Sequence, residues 1–336
     1  MRISVRYGRF DCGRRRFLFG GLSLTGMFVG SGIRGFAALE GDADPRGKVF
    51  GFVRNVRPAE PPEKRTSGVL ALDVADGTVT VTEVLVPNVF RVAPDAERLA
   101  FKTPGGEIET VSLREGRSSA KRVCTLGGAS IIDPVVWSAD GTRLIASCGE
   151  QEGGRWNFVT HLITIANAKV QNLNVPKTDE VWDWSRDGRL LATLSKPIDR
   201  SGLEAAVVAI DGSIARRVIA SAVQPPVRFA PDGKSIAYIR SDGTRVGIWV
   251  SAIDGGGEPR QVASTRGDCV FGGLSWSPSG RWIAFTQMAK PEIARKPGTR
   301  KAQSLTDCVW LASVDGRDTR RVGLGEFKIY GMIDWR

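Results

Sequence analysis

Few side chains in this sequence are of a type and placement suited to catalysis. There is one histidine, His161, in the stretch FVTHLITI. Ser-His-Asp and Cys-His nucleophilic catalysis would both have to use it, because each needs an imidazole to take up the proton of the nucleophile. A His-rich transition-metal site cannot be assembled from a single imidazole. The alternation around His161 is that of a strand, so it is expected on one strand face. Carboxylates are more numerous, but Asp95, Asp140, Asp187 and Asp232 each fall in a short turn. There the side chain can accept backbone N–H groups, and the four recur at a regular interval, as a folding requirement does. No Cys-x-x-Cys, EF-hand loop or Gly-x-Ser-x-Gly elbow is present. No cofactor and no metal are expected, and nothing in the sequence supports a Ca²⁺ ion in a central channel. Cys124, Cys148, Cys269 and Cys308 allow three disulfide connectivities or four buried thiols.

The basic residues point to binding instead. Residues 55–67 carry Arg57, Lys64 and Arg65, and residues 195–204 carry Lys196 and Arg200. Residues 288–304 carry Lys290, Arg295, Lys296, Arg300 and Lys301 against Glu292. Each segment contains proline, as loops do, and together they would make one face positive. That face could dock an acidic protein, a polysaccharide or an anionic membrane surface; the plainer reading is a set of solubilising loops. Nucleic acid is not an expected partner. The net charge is +11, but seven arginines against Asp11 within residues 1–37 supply more than half of it. The rest is mildly basic, without interleaved aromatics and Lys/Arg on one strand pattern.

The elements that position these groups come from a repeat. WSADGTRLIAS begins at Trp137, WSRDGRLLAT at Trp184, FAPDGKSIAY at Phe229 and WSPSGRWIAF at Trp276, with a worn copy, VAPDAERLAF, at Val92. The leading residues are spaced by 45, 47, 45 and 47 positions. That period fits four short strands, the content of a propeller blade. An Asp-Gly signal follows the leading residue and predicts a tight hairpin with both central residues at positive φ. A second Asp-Gly series, at Asp76, Asp211, Asp254 and Asp315, lies out of phase with the first and marks a second hairpin per repeat.

Before the first repeat come three strand-like stretches, KVFGFVR, GVLALDV and TVTVTEV, and the chain ends with a fourth, YGMIDW. Combined, they complete one more unit, and a ring closed by strands from both termini leaves no bare edge. The expectation is an all-β, six-bladed β-propeller over residues 48–336. Residues immediately before each leading position should face the channel: Arg91, Val136, Asp183, Arg228, Ser275 and Asp334. Ring order places Asp183 beside Arg228 and Asp334 beside Arg91. These could form two ion pairs between blades, or a polar channel able to bind a small charged ligand.

Residues 1–37 read as an export leader, followed by a short linker over 38–47. Arg14-Arg15-Arg16-Phe17-Leu18 resembles the twin-arginine export motif, and an apolar run to Ile33 follows it. Gly35 and Ala37 stand where a leader is cleaved. Retained, the run would be a membrane anchor; in either case the globular part is expected in the periplasm or outside the cell. The Trp-Ser-Pro-Asp-Gly-Arg phrase resembles the repeat of TolB-like β-propellers from about Lys48 to the end, without the α/β domain that precedes the propeller in TolB. That resemblance implies a periplasmic or extracellular propeller that binds protein partners. The expected function is therefore a non-catalytic binding scaffold of the cell envelope. The alternative is a propeller enzyme, lyase-like or dehydrogenase-like, with its site at the channel mouth.

Overall fold

The computed structural model describes residues 2–6, 45–54, 67–84, 86–127, 134–153, 155–197, 202–241, 245–265, 269–289, 308–324 and 327–336. In chain order the strands are β1 (Arg2–Arg6), β2 (Lys48–Val53), β3 (Gly68–Asp73), β4 (Thr78–Glu83), β5 (Arg91–Val92), β6 (Arg98–Lys102), β7 (Glu107–Ser112) and β8 (Lys121–Thr125). They continue with β9 (Val135–Trp137), β10 (Arg143–Glu152), β11 (Arg155–Thr164), β12 (Lys169–Asn172), β13 (Asp179–Trp184), β14 (Leu190–Ser195), β15 (Leu203–Ala209) and β16 (Arg217–Phe229). The last are β17 (Ser235–Ser241), β18 (Val246–Ala252), β19 (Arg260–Ser264), β20 (Cys269–Trp276), β21 (Trp282–Ala289), β22 (Cys308–Ser313), β23 (Thr319–Gly323) and β24 (Ile329–Trp335).

All strand pairs are antiparallel neighbours, and three sheets have four strands each: β5–β8, β9–β12 and β20–β23. The fold is thus the expected all-β propeller of four-stranded sheets. Strands β13–β19 form one seven-stranded sheet, because β16 serves twice. Its first half pairs with β15 and its second half, through Phe229↔Ile236, with β17. In the remaining sheet the C-terminal β24 pairs with β2, placing Asp334 opposite Phe50 and Trp335 opposite Val49. The order there is β1-β4-β3-β2-β24. The fifth strand is a departure from expectation: Arg2–Arg6, read from sequence as the start of a leader outside the propeller, runs along the outer edge of β4. Arg14 to Ala37, with the twin-arginine motif, lie outside the described residues.

Apolar residues on consecutive positions explain the layering. In β17, Ile236, Ala237, Tyr238 and Ile239 are all fully buried. Ile236 and Tyr238 pack with Ala192, Leu194 and Val207, while Ala237 and Ile239 pack with Leu274, Ile283 and Phe285. One strand therefore feeds two cores, one on each side of its sheet, as stacked blades require. Each large side chain buried this way contributes about 1.5–3 kcal/mol.

The inner hairpins differ from expectation in one respect. Gly141, Gly188, Gly233 and Gly280 lie at φ between 67° and 76°, but the Asp or Ser before each does not take positive φ. The turn is wider than the two-residue form: Gly141 N–H donates to Ser138 O, and Ser138 N–H to Arg143 O. The aspartates act as expected. Asp140, Asp187 and Asp232 accept from the backbone N–H two residues on, and Asp95 does the same in the worn copy. Bonds from Ser138 and Thr142 hold the Asp140 carboxyl down to about 2.

Candidate functional site

The inner strands bring Arg91 (β5), Asp183 (β13), Arg228 (β16) and Asp334 (β24) together, all buried. Of the two ion pairs expected from ring order, Asp334–Arg91 forms and Asp183–Arg228 does not. Arg91 takes both carboxylates: its Nε is 2.9 Å from Asp334 and its Nη2 is 3.2 Å from Asp183. Arg228 is left without an ionic partner. Its Nη1 donates to the Trp182 carbonyl at 2.8 Å, and Arg91 Nη1 reaches the same oxygen at 3.4 Å. Its Nε and Nη2 have no hydrogen-bond partner. The reason is reach: both arginines converge on one carbonyl near the axis, and Asp183 turns one oxygen to Arg91 and the other, Oδ2, to the N–H of Phe229 at 2.8 Å.

This use of the acidic side chains joins neighbouring inner strands and was not anticipated. Asp334 Oδ2 accepts from Val92 N–H at 2.7 Å, and Ser275 Oγ accepts from Trp335 N–H at 2.9 Å. The leading tryptophans work in the same direction. Trp137 Nε1 donates to Arg91 O, Trp276 Nε1 to Arg228 O and Trp335 Nε1 to Arg46 O. Five of the six junctions between inner strands are thereby fastened through side chains; at the β9–β13 junction Trp184 Nε1 has no partner, and Trp335 ties β24 to the residues before β2 in its own sheet.

The electrostatics follow from burial. Desolvation pulls the Arg91 guanidinium down, but Asp334 and Asp183 outweigh it and hold it above its ordinary value. Burial pushes the Asp334 carboxyl up, and Arg91, Arg336 and Arg228 more than reverse that, leaving it below the usual carboxylate range. For Arg228 the balance tips the other way: burial first, and then Arg91, lower it to about 9 against the opposing pull of Asp183 and Asp334. It stays protonated at neutral pH at an energetic cost. Arg336, which follows Trp335, joins the group; its Nε and Nη2 donate to Val92 O, and it stands 3.7 Å from Asp334. Three arginines thus meet two aspartates.

A cavity of about 290 Å³ opens here, lined by Arg91, Asp183, Arg228 and Ser275, with Arg186 and Arg336 as further cations. Ser138, Pro231 and Ser277 of the inner hairpins also line it, which puts it at the end of the channel where those turns lie. The basic segments attach at the opposite end: one follows β2, one follows β14 and one follows β21. Lys196 is exposed just after β14. Arg57, Lys64, Arg65, Arg200, Lys290, Arg295, Lys296, Arg300 and Lys301 lie outside the described residues.

At that opposite end stands a second buried network that sequence reasoning missed. Asp179, at the start of β13, takes Arg216 Nε at 2.8 Å and Thr193 Oγ1 at 2.7 Å, while Arg216 Nη2 reaches Glu204 at 3.4 Å. Arg216 stands in the connection just before β16, where no local sequence pattern marks it. His161 lies on β11, opposite Ala146 and Asn172, away from the cavity, and burial lowers its pKa. Cys148 and Cys308 are buried and Cys124 is half-buried, with no disulfide among these three. Among the described residues no group of three His, Cys, Asp or Glu is placed to hold a metal ion.

No protein-family model matches the sequence. A curated relative, the uncharacterized protein YidR of Escherichia coli K12, is 38% identical over 60 residues, which is 18% of this chain and 14% of YidR. Solved structures share the fold more widely. TolB from Acinetobacter baumannii superposes with a TM-score of 0.62 at 17% identity, over 87% of this chain and 67% of that one. A putative TolB from Agrobacterium tumefaciens gives 0.55 at 17% identity, over 87% and 99%. An oligogalacturonate lyase solved with manganese gives 0.52 at 13% identity, over 84% and 82%. At such identities the likeness speaks for architecture alone, and the architecture of this chain is a TolB-like β-propeller.

Proposed function

We propose that the protein is an exported, six-bladed propeller that serves the cell envelope as a non-catalytic scaffold for an acidic protein partner. The observation that carries this reading is the common attachment of the basic segments. The connections β2–β3, β14–β15 and β21–β22 all leave their sheets from the end away from the inner hairpins. Their sequences hold Arg57, Lys64 and Arg65, then Lys196 and Arg200, then Lys290, Arg295, Lys296, Arg300 and Lys301. Connections on a rigid scaffold are where recognition residues usually reside, and clustered cations steer acidic partners. The TolB-like architecture and the twin-arginine-like leader support placement in the periplasm or outside the cell. Removal of residues 1–37 on export would take β1 with it and leave the closing sheet with the four strands β4-β3-β2-β24. The count of six blades treats the seven-stranded sheet as two quartets that share β16.

Native mass spectrometry of the protein purified from its own envelope fraction tests this. A stoichiometric protein partner is expected, lost when Lys290, Arg295, Lys296, Arg300 and Lys301 are changed to Glu. A mature N-terminus near residue 38 is expected in the same spectrum. A mass excess matching a metal or organic cofactor would replace the scaffold with an enzyme.

A further inference from the structure

We infer that the channel cavity at the inner-hairpin end binds a compact oxyanion, held by Arg228. This goes beyond the scaffold reading, since it uses the opposite end of the channel. Arg228 is 2% exposed, and the two N–H groups it leaves without an acceptor are Nε and Nη2. Those two lie on one edge of the guanidinium and form the planar fork that takes both oxygens of a carboxylate or phosphate. The remaining nitrogen, Nη1, is anchored on the Trp182 carbonyl at 2.8 Å, so the fork is held in one orientation.

The charge balance favours an anion. Arg91 is matched by Asp183 and Asp334, while Arg228 has no carboxylate within ion-pair distance. A buried cation without a partner is costly, and an anion that reaches it recovers that cost. Burial and the nearby Arg91 already lower the Arg228 pKa to about 9, the direction an incompletely compensated site gives. Ser275, on the next inner strand, lines the same cavity and uses its oxygen as an acceptor for Trp335 N–H, which leaves its hydroxyl proton to donate. Exposed Arg186 lines the cavity as well and offers a cation at its entrance. At about 290 Å³ the space suits a small ligand, near the lower limit for such pockets.

Isothermal titration of acetate, and separately of inorganic phosphate, into the full protein at fixed ionic strength tests the inference. One saturable site is expected, with a Kd of about 1 mM or tighter for at least one of the two anions. Whichever binds identifies the source as a carboxylate or a phosphate. Arg228→Met should abolish binding yet melt at least as high as the parent without anion, because an apolar side chain replaces a buried unpaired charge. Arg228→Lys should keep weakened binding, about tenfold or more, as a point charge without the fork. The Lys290-to-Lys301 charge reversals should leave anion affinity unchanged, which separates this site from partner docking. Absence of binding by both anions, or unaltered binding in folded Arg228→Met, overturns the inference.

Discussion

Replacing Asp334 by Asn probes the charge cluster that ties β24 to β5. Asn keeps the shape and can still accept from Val92 N–H, so the change removes charge and little else. In the parent, Arg91, Arg228 and Arg336 face Asp183 and Asp334, with Arg91 Nε 2.9 Å from Asp334. In Asp334→Asn the same three cations face Asp183 alone. Breaking a buried pair by removing one partner costs about 3–5 kcal/mol, because the other charge is left uncompensated. The loss should depend on pH with a definite sign. Asp334 is held below the ordinary carboxylate range in the folded protein, through Arg91, Arg336 and Arg228 acting against its burial. A carboxylate with a depressed folded pKa stabilises fully above its unfolded value, about 3.9, and loses that stabilisation as pH falls through the folded value. Urea unfolding followed by the fluorescence of the nine tryptophans would measure it. The gap between parent and variant should be full at neutral pH and close below about pH 4. A neutral-pH gap under about 1 kcal/mol, or one that persists unchanged into acid, would refute the claim that Asp334 acts as a buried counter-charge.

Two further changes test how the backbone is held. Ala96 occupies the turn position that Gly141, Gly188 and Gly233 fill in the better copies, and it sits at φ 58°. Relief of left-handed strain should make Ala96→Gly more stable by about 0.5–1 kcal/mol, less than the full penalty because glycine also loosens the unfolded chain; a lower melting temperature would contradict that. Gly273 in β20 faces the β24 backbone so closely that a Cβ would lie 2.9 Å from Gly331 O and 3.1 Å from Ile333 N. Gly273→Ala should cost about 1–3 kcal/mol in urea unfolding, since backbone must move, and an unchanged midpoint would show that β24 gives way freely.

The period and the alternation within each strand carried most of the architecture. Counting back one residue from each leading position was enough to place Arg91, Asp183, Arg228 and Asp334 on the channel. Which of them pair could not be counted out in the same way. Ring order suggested neighbours, whereas long arginine side chains reach across, and Arg91 claims both aspartates while Arg228 turns to a carbonyl. Arg336 follows the leading Trp335 where Ser138, Ser185 and Ser277 follow theirs, and the serine of the repeat gives no hint of a cation there. The Asp179–Arg216 network joins residues 37 positions apart, one at the start of β13 and one just before β16, and no local pattern links them. The turn type was misjudged because Asp-Gly also fits a wider turn, in which glycine alone takes the left-handed conformation. The Asp95-Ala96 copy is the sequence-visible sign of that: only one position of the turn tolerates erosion at a modest strain.

The pairing of β24 with β2 also sets a timetable for synthesis. A ribosome makes β2, β3 and β4 before β5 to β23, yet the strand that covers the inner edge of β2 follows all of these. Until Trp335 is available, Val49, Phe50 and Gly51 present unpaired backbone, and Val92 lacks the carboxylate of Asp334 for its N–H. The nascent chain must therefore carry an open, adhesive edge until β24 is made, the condition under which chaperones are recruited and neighbouring chains stick. Completion of the ring waits for β24.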